Sequence, residues 1–190
     1  MSKGKIIILS GPSGSGKTTL HKRLLCARRL KGKLVKSVSV TTRPRRRNER
    51  HGRDYLFISQ KEYFVQKKKG RFLESEKVFD HDYATPKKGV RDLLAKKKNV
   101  LLCIDVKGAK TVSRCFPDAV KIFITAPSMK ELAKRLNKRK SETKKTLALR
   151  LKVARKEMKE ARHYDYVVVN AHLPSALKRL ETIVEREIKK

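Results

Sequence analysis

Residues 6–18 read Ile6-Ile7-Ile8-Leu9-Ser10-Gly11-Pro12-Ser13-Gly14-Ser15-Gly16-Lys17-Thr18, and a helical stretch from Thr19 to Arg29 follows. Four apolar residues bounded by a glycine-rich segment read as a short buried strand. The segment itself is G-x-x-x-x-G-K-T, which works only as a strand-to-helix turn, and here both flanks fit. Glycines at 11, 14 and 16 let the backbone curl so that successive N–H groups point inward at phosphate oxygens. The N-terminal end of the next helix adds its partial positive charge to the same anion site. In such a loop Lys17 reaches the β- and γ-phosphates and the Thr18 hydroxyl ligates Mg²⁺. A plain Gly/Ser turn before a helix is the alternative, and it needs neither the spacing nor the flanks. The stretch implies that the chain binds a nucleoside triphosphate through Gly11, Pro12, Ser13, Gly14, Ser15, Gly16, Lys17 and Thr18.

Further apolar runs rich in Ile and Val lie at 100–104, 119–124 and 166–169, separated by helical stretches. That alternation predicts an α/β fold with a parallel core sheet, five-stranded, and helices on both faces. Helices are expected at roughly 16–30, 86–98, 107–115, 128–139, 143–163 and 173–189. In the last, Leu177, Leu180, Ile183, Val184 and Ile188 recur at helical spacing, as a core face does. Two segments break the alternation. Residues 37–85 carry the strand-like pieces Ser37–Thr42 and Tyr55–Ile58 and read as an inserted lobe. Residues 127–156 are polar and helical and read as a lid. The core is then 1–36, 86–126 and 157–190 of one domain. An acceptor lobe and a lid suit phosphoryl transfer, which must align two anions and exclude water.

At 190 residues the chain can bury one real core. No apolar run approaches the ~20 residues needed to cross a bilayer. The N-terminus enters a strand at once, so no secretory signal is expected. Cys26, Cys103 and Cys115 are far apart and lack metal-ligand spacing; two are expected to pack as small buried residues. A reducing, cytoplasmic setting is the simplest reading. Lys and Arg number 51 against 18 Asp and Glu, a formal net charge of +33. Such a field attracts polyanions. The basic residues are scattered, however, and no zinc-finger spacing or RNA-binding aromatic signature accompanies them. Nucleic-acid contact is expected to be incidental to a solvated basic surface.

A second constellation runs through Ser37-Val38-Ser39-Val40-Thr41-Thr42-Arg43-Pro44, Arg45-Arg46-Arg47, Gly52-Arg53-Asp54-Tyr55, Glu74, Tyr83-Ala84-Thr85-Pro86 and Ile104-Asp105-Val106-Lys107-Gly108. With the phosphate loop and Tyr166-Val167-Val168-Val169-Asn170, the chain resembles the guanylate kinases, P-loop nucleoside monophosphate kinases, over nearly its whole length. The resemblance implies transfer of the γ-phosphate of MgATP to GMP or dGMP, and it assigns residues to that chemistry. Arg43, Arg46, Tyr55 and Tyr83 would hold the GMP phosphate, since a dianion suits forked guanidinium donors and hydroxyls. The arginine run leaves the register open by one, with Arg45 and Arg47 as alternatives. Glu74 would read guanine, whose N1–H and N2–H₂ are adjacent donors a carboxylate accepts together. Ser39, Ala84, Thr85 and Asp105 complete the GMP set. Lys17, Arg135, Arg139 and Arg150 would neutralise the migrating phosphoryl group, with catalysis by positioning and charge and no protein nucleophile.

Taken alone, the arginine run reads as a solvated loop, Glu74 as a surface residue and Arg135 and Arg139 as an exposed basic helix. The chain also departs from the family's pattern. Cys103-Ile104-Asp105 stands where Asp-x-Asp is frequent, Asn170-Ala171-His172 where Asn-Asp-Asp is frequent, and Lys140 where a glycine is usual. Rival functions are a ribose bisphosphate kinase, a peptide-gripping guanylate-kinase-like scaffold and a nucleic-acid binder. The first has no base for Glu74 to read, and the second generally lacks an intact phosphate loop.

Overall fold

The structure, a computed structural model, describes residues 4–78, 80–137 and 144–190, with only the backbone at 144 and 145. The chain runs β1 (Ile6–Ser10), α1 (Lys17–Cys26), β2 (Leu34–Lys36), β3 (Val40–Thr41), β4 (Leu56–Phe57), α2 (Gln60–Lys68), β5 (Phe72–Val78), β6 (His81–Pro86) and α3 (Lys87–Ala95). It continues through β7 (Asn99–Cys103), α4 (Val106–Cys115), β8 (Val120–Thr125), α5 (Met129–Asn137), α6 (Lys144–Lys159), β9 (Tyr166–Val169) and α7 (Leu173–Lys189).

Five strands form one sheet in the order β2-β7-β1-β8-β9, all parallel. Side chains alternate across a strand, so β1 feeds both faces. Ile7 and Leu9 pack with Leu20 and Leu24 of α1 and Leu180 and Val184 of α7. Ile6 and Ile8 pack with Val90 of α3 and Ala109 and Val112 of α4. Burial on both faces explains why these strands read as unbroken apolar runs. The carboxyl ends of β1, β7, β8 and β9 open together, at Gly11, Ile104, Ala126 and Asn170, where open α/β sheets take ligands. β9 is the last strand at its edge, with Val167 and Val169 exposed.

A second sheet, β4-β3-β6-β5, comes from the segment after β2. Its β5–β6 hairpin is antiparallel, with a bulge between Phe72 and Glu74, and covers a small core of Val40, Tyr63 and Ala84. α2 answers to no expected helix. Ser59 starts it: its Oγ accepts from the Glu62 N–H, while the Glu62 carboxylate accepts from Ser59 N, a reciprocal cap.

Three expectations are corrected. The first helix ends at Cys26 and a 3₁₀ turn, Arg28–Leu30, follows. The helix expected at 143–163 ends at Lys159, again in a 3₁₀ turn. Cys26 and Cys115 are exposed, not packed, since each ends its helix on the outer surface. Among the described residues no helix is long and apolar enough to cross a membrane.

Candidate active site

The loop from Gly11 to Gly16 closes as a strand-to-helix turn needs. Gly11, Gly14 and Gly16 have φ of 132°, 87° and 90°, conformations that side chains disfavour. At Gly16 the constraint is double, because a Cβ there would strike the Asn170 amide. That amide donates to Ser15 O at 2.9 Å, and the Asn170 N–H donates to Thr125 O at 2.7 Å. Asn170 thereby ties the loop to the end of β8. The Lys17 ammonium donates to the carbonyls of Gly11 and of Pro12, so it lies folded over its own loop.

Beyond the loop lies a cleft of about 130 Å³. Thr18, Ser39, Arg43, Arg46, Tyr55 and Tyr83 line it. These residues come from the phosphate loop and the second sheet, and the fold brings them to one wall-to-wall space. Arg46 is in the cleft lining and Arg45 and Arg47 are not. The Arg43 guanidinium donates to both oxygens of Glu49 at 2.8 Å and to Pro44 O at 2.7 Å. It also lies 5.7 Å from the Tyr55 ring centroid. Glu49 accepts from Arg46 N as well, so one carboxylate holds the arginine loop in shape. Burial pushes the Tyr55 phenol up to about 12, with the Cys103 thiol and Tyr83 adding to it, so its hydroxyl stays a donor.

Glu74 is buried on β5 opposite Thr85 of β6 and accepts the Thr85 hydroxyl at 2.5 Å. It lies against Gly108 of α4, where a Cβ would meet its Oε2 at 2.8 Å. Burial raises its carboxyl to about 7; the Thr85 bond works against that and the Asp105 charge reinforces it. Asp105 caps α4, its Oδ1 accepting from Gly108 N at 2.7 Å. Asp105 therefore also starts this helix. Ala84 points the other way, into the core with Val40 and Tyr63, so its side chain does not face the cleft.

From the lid, Arg135 of α5 is paired with Glu131 at 2.8 Å, one turn back. α5 crosses close to the phosphate loop: a Cβ on Gly14 would meet Leu136 and Leu132. Arg139 lies outside the described residues. Arg150 shares a helical stripe of α6 with Ala154, Glu157 and Met158. That stripe faces inward, since Ala154 packs with Ala126 and Leu132, and Met158 accepts from Thr125 Oγ1.

Glu157, Lys36 and Glu49 went unnoticed in the sequence. Burial raises Glu157 to about 7, opposed by the Lys17 charge and by a bond from the Ser13 amide, so it stands beside the phosphate loop. A helical wheel carried its signal, an acid beside Ala154 and Met158 on the packed stripe. The remaining walls of the cleft include His21 and Cys103. Burial, helped by Lys36 and Lys22, lowers His21 to about 4. Burial pushes the Cys103 thiol up, against Lys17 and Lys36. Both are neutral at pH 7. No group of three or more His, Cys, Asp or Glu able to hold a metal occurs among the described residues.

A family model described as guanylate kinase matches residues 3–187. The chain belongs to the guanylate kinase family. Guanylate kinase of Clostridium tetani is 41% identical over 187 residues, covering 98% of this chain and 88% of that one. Guanylate kinase of Rickettsia prowazekii is 39% identical, covering 98% and 93%. Among solved structures, guanylate kinase from Anaplasma phagocytophilum aligns over all of this chain and 89% of its own, with a TM-score of 0.81 at 34% identity. The five-stranded parallel core is thus the guanylate kinase fold in this chain.

Proposed function

We propose that the chain transfers the γ-phosphoryl group of ATP to GMP, and to dGMP, giving ADP and GDP. One observation carries the reading: Thr18, which opens the helix behind the phosphate loop, lines the same cleft as Arg43, Arg46, Tyr55 and Tyr83. A donor triphosphate on the loop and an acceptor phosphate on the arginines would then lie side by side, as direct transfer requires. Glu74 supplies the base preference, its carboxylate accepting from guanine N1–H and N2–H₂ together while Thr85 fixes its orientation. Ser39 and Asp105 flank the acceptor, and Ala84 contributes through its backbone.

Lys17 swings from its loop carbonyls to the β- and γ-phosphates. Arg135 and Arg150, with Arg139, neutralise the charge that spreads over the migrating group. The GMP phosphate oxygen attacks phosphorus directly, and no side chain forms a covalent bond. Mg²⁺ suits the donor set, because it takes few protein oxygens beside substrate phosphates and water. Thr18 Oγ1 would hold it, and the Asp105 oxygen not used in the α4 cap would face its water shell. When bound, the metal withdraws negative charge from the triphosphate. Residues 37–85 act as the acceptor lobe and 127–156 as the lid. Three free cysteines fit a reducing cytoplasmic setting.

The test is ADP release from MgATP across GMP, dGMP, AMP, CMP, UMP and ribose 1,5-bisphosphate. Turnover confined to GMP and dGMP is expected. Equal turnover with AMP or CMP refutes the reading, and turnover with the bisphosphate alone favours a kinase that reads no base.

A further inference from the structure

We propose that Lys36 is a third cationic ligand of the acceptor's phosphate, a binding residue added to the cleft at the end of β2. The inference rests on the reading of GMP as acceptor. Lys36 is half-buried in the cleft that Arg43, Arg46, Tyr55 and Tyr83 line. Its Nζ donates to the carbonyls of Arg53 at 2.9 Å and Asp54 at 2.5 Å, and stands 5.6 Å from the Tyr55 ring centroid. The guanidinium of Arg43 stands 5.7 Å from the same ring. An ammonium has three donors, and two carbonyls leave one of them for a ligand.

Charge in the cleft argues for that ligand. Arg43 is neutralised by Glu49, and Asp54 is shared by Lys22 and Arg53. Among the described residues Lys36 and Arg46 form no ion pair; Lys36 feels the Asp54 and Lys22 charges, while His21 and Cys103 beside it are uncharged. Two cations outside any salt bridge match a phosphate monoester dianion. Cys103 matters here, because it stands where the family frequently carries an aspartate, and that carboxylate would compensate Lys36. Burial holds the Lys36 ammonium below its ordinary value, with Asp54 working against it. A dianion arriving beside Lys36 relieves that penalty. A lysine serving only to tie the 53–54 turn would be indifferent to the phosphate.

The test compares GMP with guanosine, which has the base and ribose but no phosphate, by calorimetry on wild type, Lys36→Met, Lys36→Gln and Lys36→Arg. Losing one charge-assisted bond corresponds to roughly 10- to 100-fold in affinity. Lys36→Met and Lys36→Gln are expected to weaken GMP by that factor and to leave guanosine within about twofold, while Lys36→Arg retains most GMP affinity. Lys36→Gln keeps a donor for the carbonyls of Arg53 and Asp54, so it carries the comparison if Lys36→Met fails to fold. Equal loss for both ligands, or no loss with Gln, overturns the proposal. Failure of the underlying reading looks different, since wild type would then not prefer GMP to AMP.

Discussion

Under the proposed reading base recognition turns on Glu74, and its proton makes that recognition dependent on pH. Its carboxyl stands near 7 in the ligand-free site, chiefly through burial. Guanine offers only donors at N1 and N2, so the protonated carboxyl must ionise before it accepts both. Affinity therefore rises as pH climbs through 7 and falls by up to about tenfold per unit below it. In Glu74→Gln, GMP binding at pH 8 is expected to be roughly 100-fold weaker, and the gap to wild type should narrow to about a few-fold by pH 5.5. The phosphate of GMP titrates identically in both proteins, so their difference isolates Glu74; a gap that stays constant from pH 5.5 to 8.5 would refute the assignment. Residues anchored by a local motif were legible in the sequence, as Lys17 and Thr18 were. Glu157 and Lys36 were not, because each reaches the site only through packing of a distant element. The direction of the Ala84 side chain was not legible either: a strand alternates its side chains, and this one turns into the core with Val40 and Tyr63.

Elements were legible in proportion to their burial. β1, β7 and β8 are covered on both faces and announce themselves as apolar runs, and β9 does so although Val167 and Val169 leave one of its faces exposed. β2, β3 and β4 are two or three residues long, too short for any periodicity, and exist because neighbours pair with them. β5 presents Glu74, Ser75, Glu76 and Lys77 in succession, so no apolar alternation marks it. α2 buries only Tyr63, leaving Phe64 and Val65 exposed, which hides its helical stripe. Its one sequence signal was Ser59 followed three residues on by Glu62. That cap is expected to matter: Ser59→Ala should cost about 1 kcal/mol in chemical denaturation while leaving kcat unchanged, because α2 carries no residue of the cleft. A matching loss of kcat would place α2 in the catalytic cycle.

At the scale of the molecule, two flanking parts converge on one parallel sheet. Arg43 and Arg46, on the loop after β3, line the cleft; under the proposed reading GMP is expected to draw the second sheet inward, with the helical pair following once a triphosphate is bound. Small-angle scattering should show a smaller radius of gyration with GMP plus a non-hydrolysable ATP analogue than with either alone. An unchanged radius would mean that the ligand-free arrangement is already the closed one. The segment that forms the second sheet was visible in the sequence as a break in strand–helix alternation. The pairing of the lobe's strands was not, because it depends on contacts between residues forty apart, such as Val40 with Ala84.

The edge strand β9 bears on how these molecules behave in a crowd. Its outer side ends the sheet and shows Val167 and Val169 to water, the kind of border on which a second chain can add a strand. A net charge of +33 on every copy keeps two such borders apart by mutual repulsion. Colloidal stability is then borrowed from charge instead of being built into the strand. It weakens wherever counterions are dense, so concentrated salt or a bound polyanion brings these edges within reach of one another.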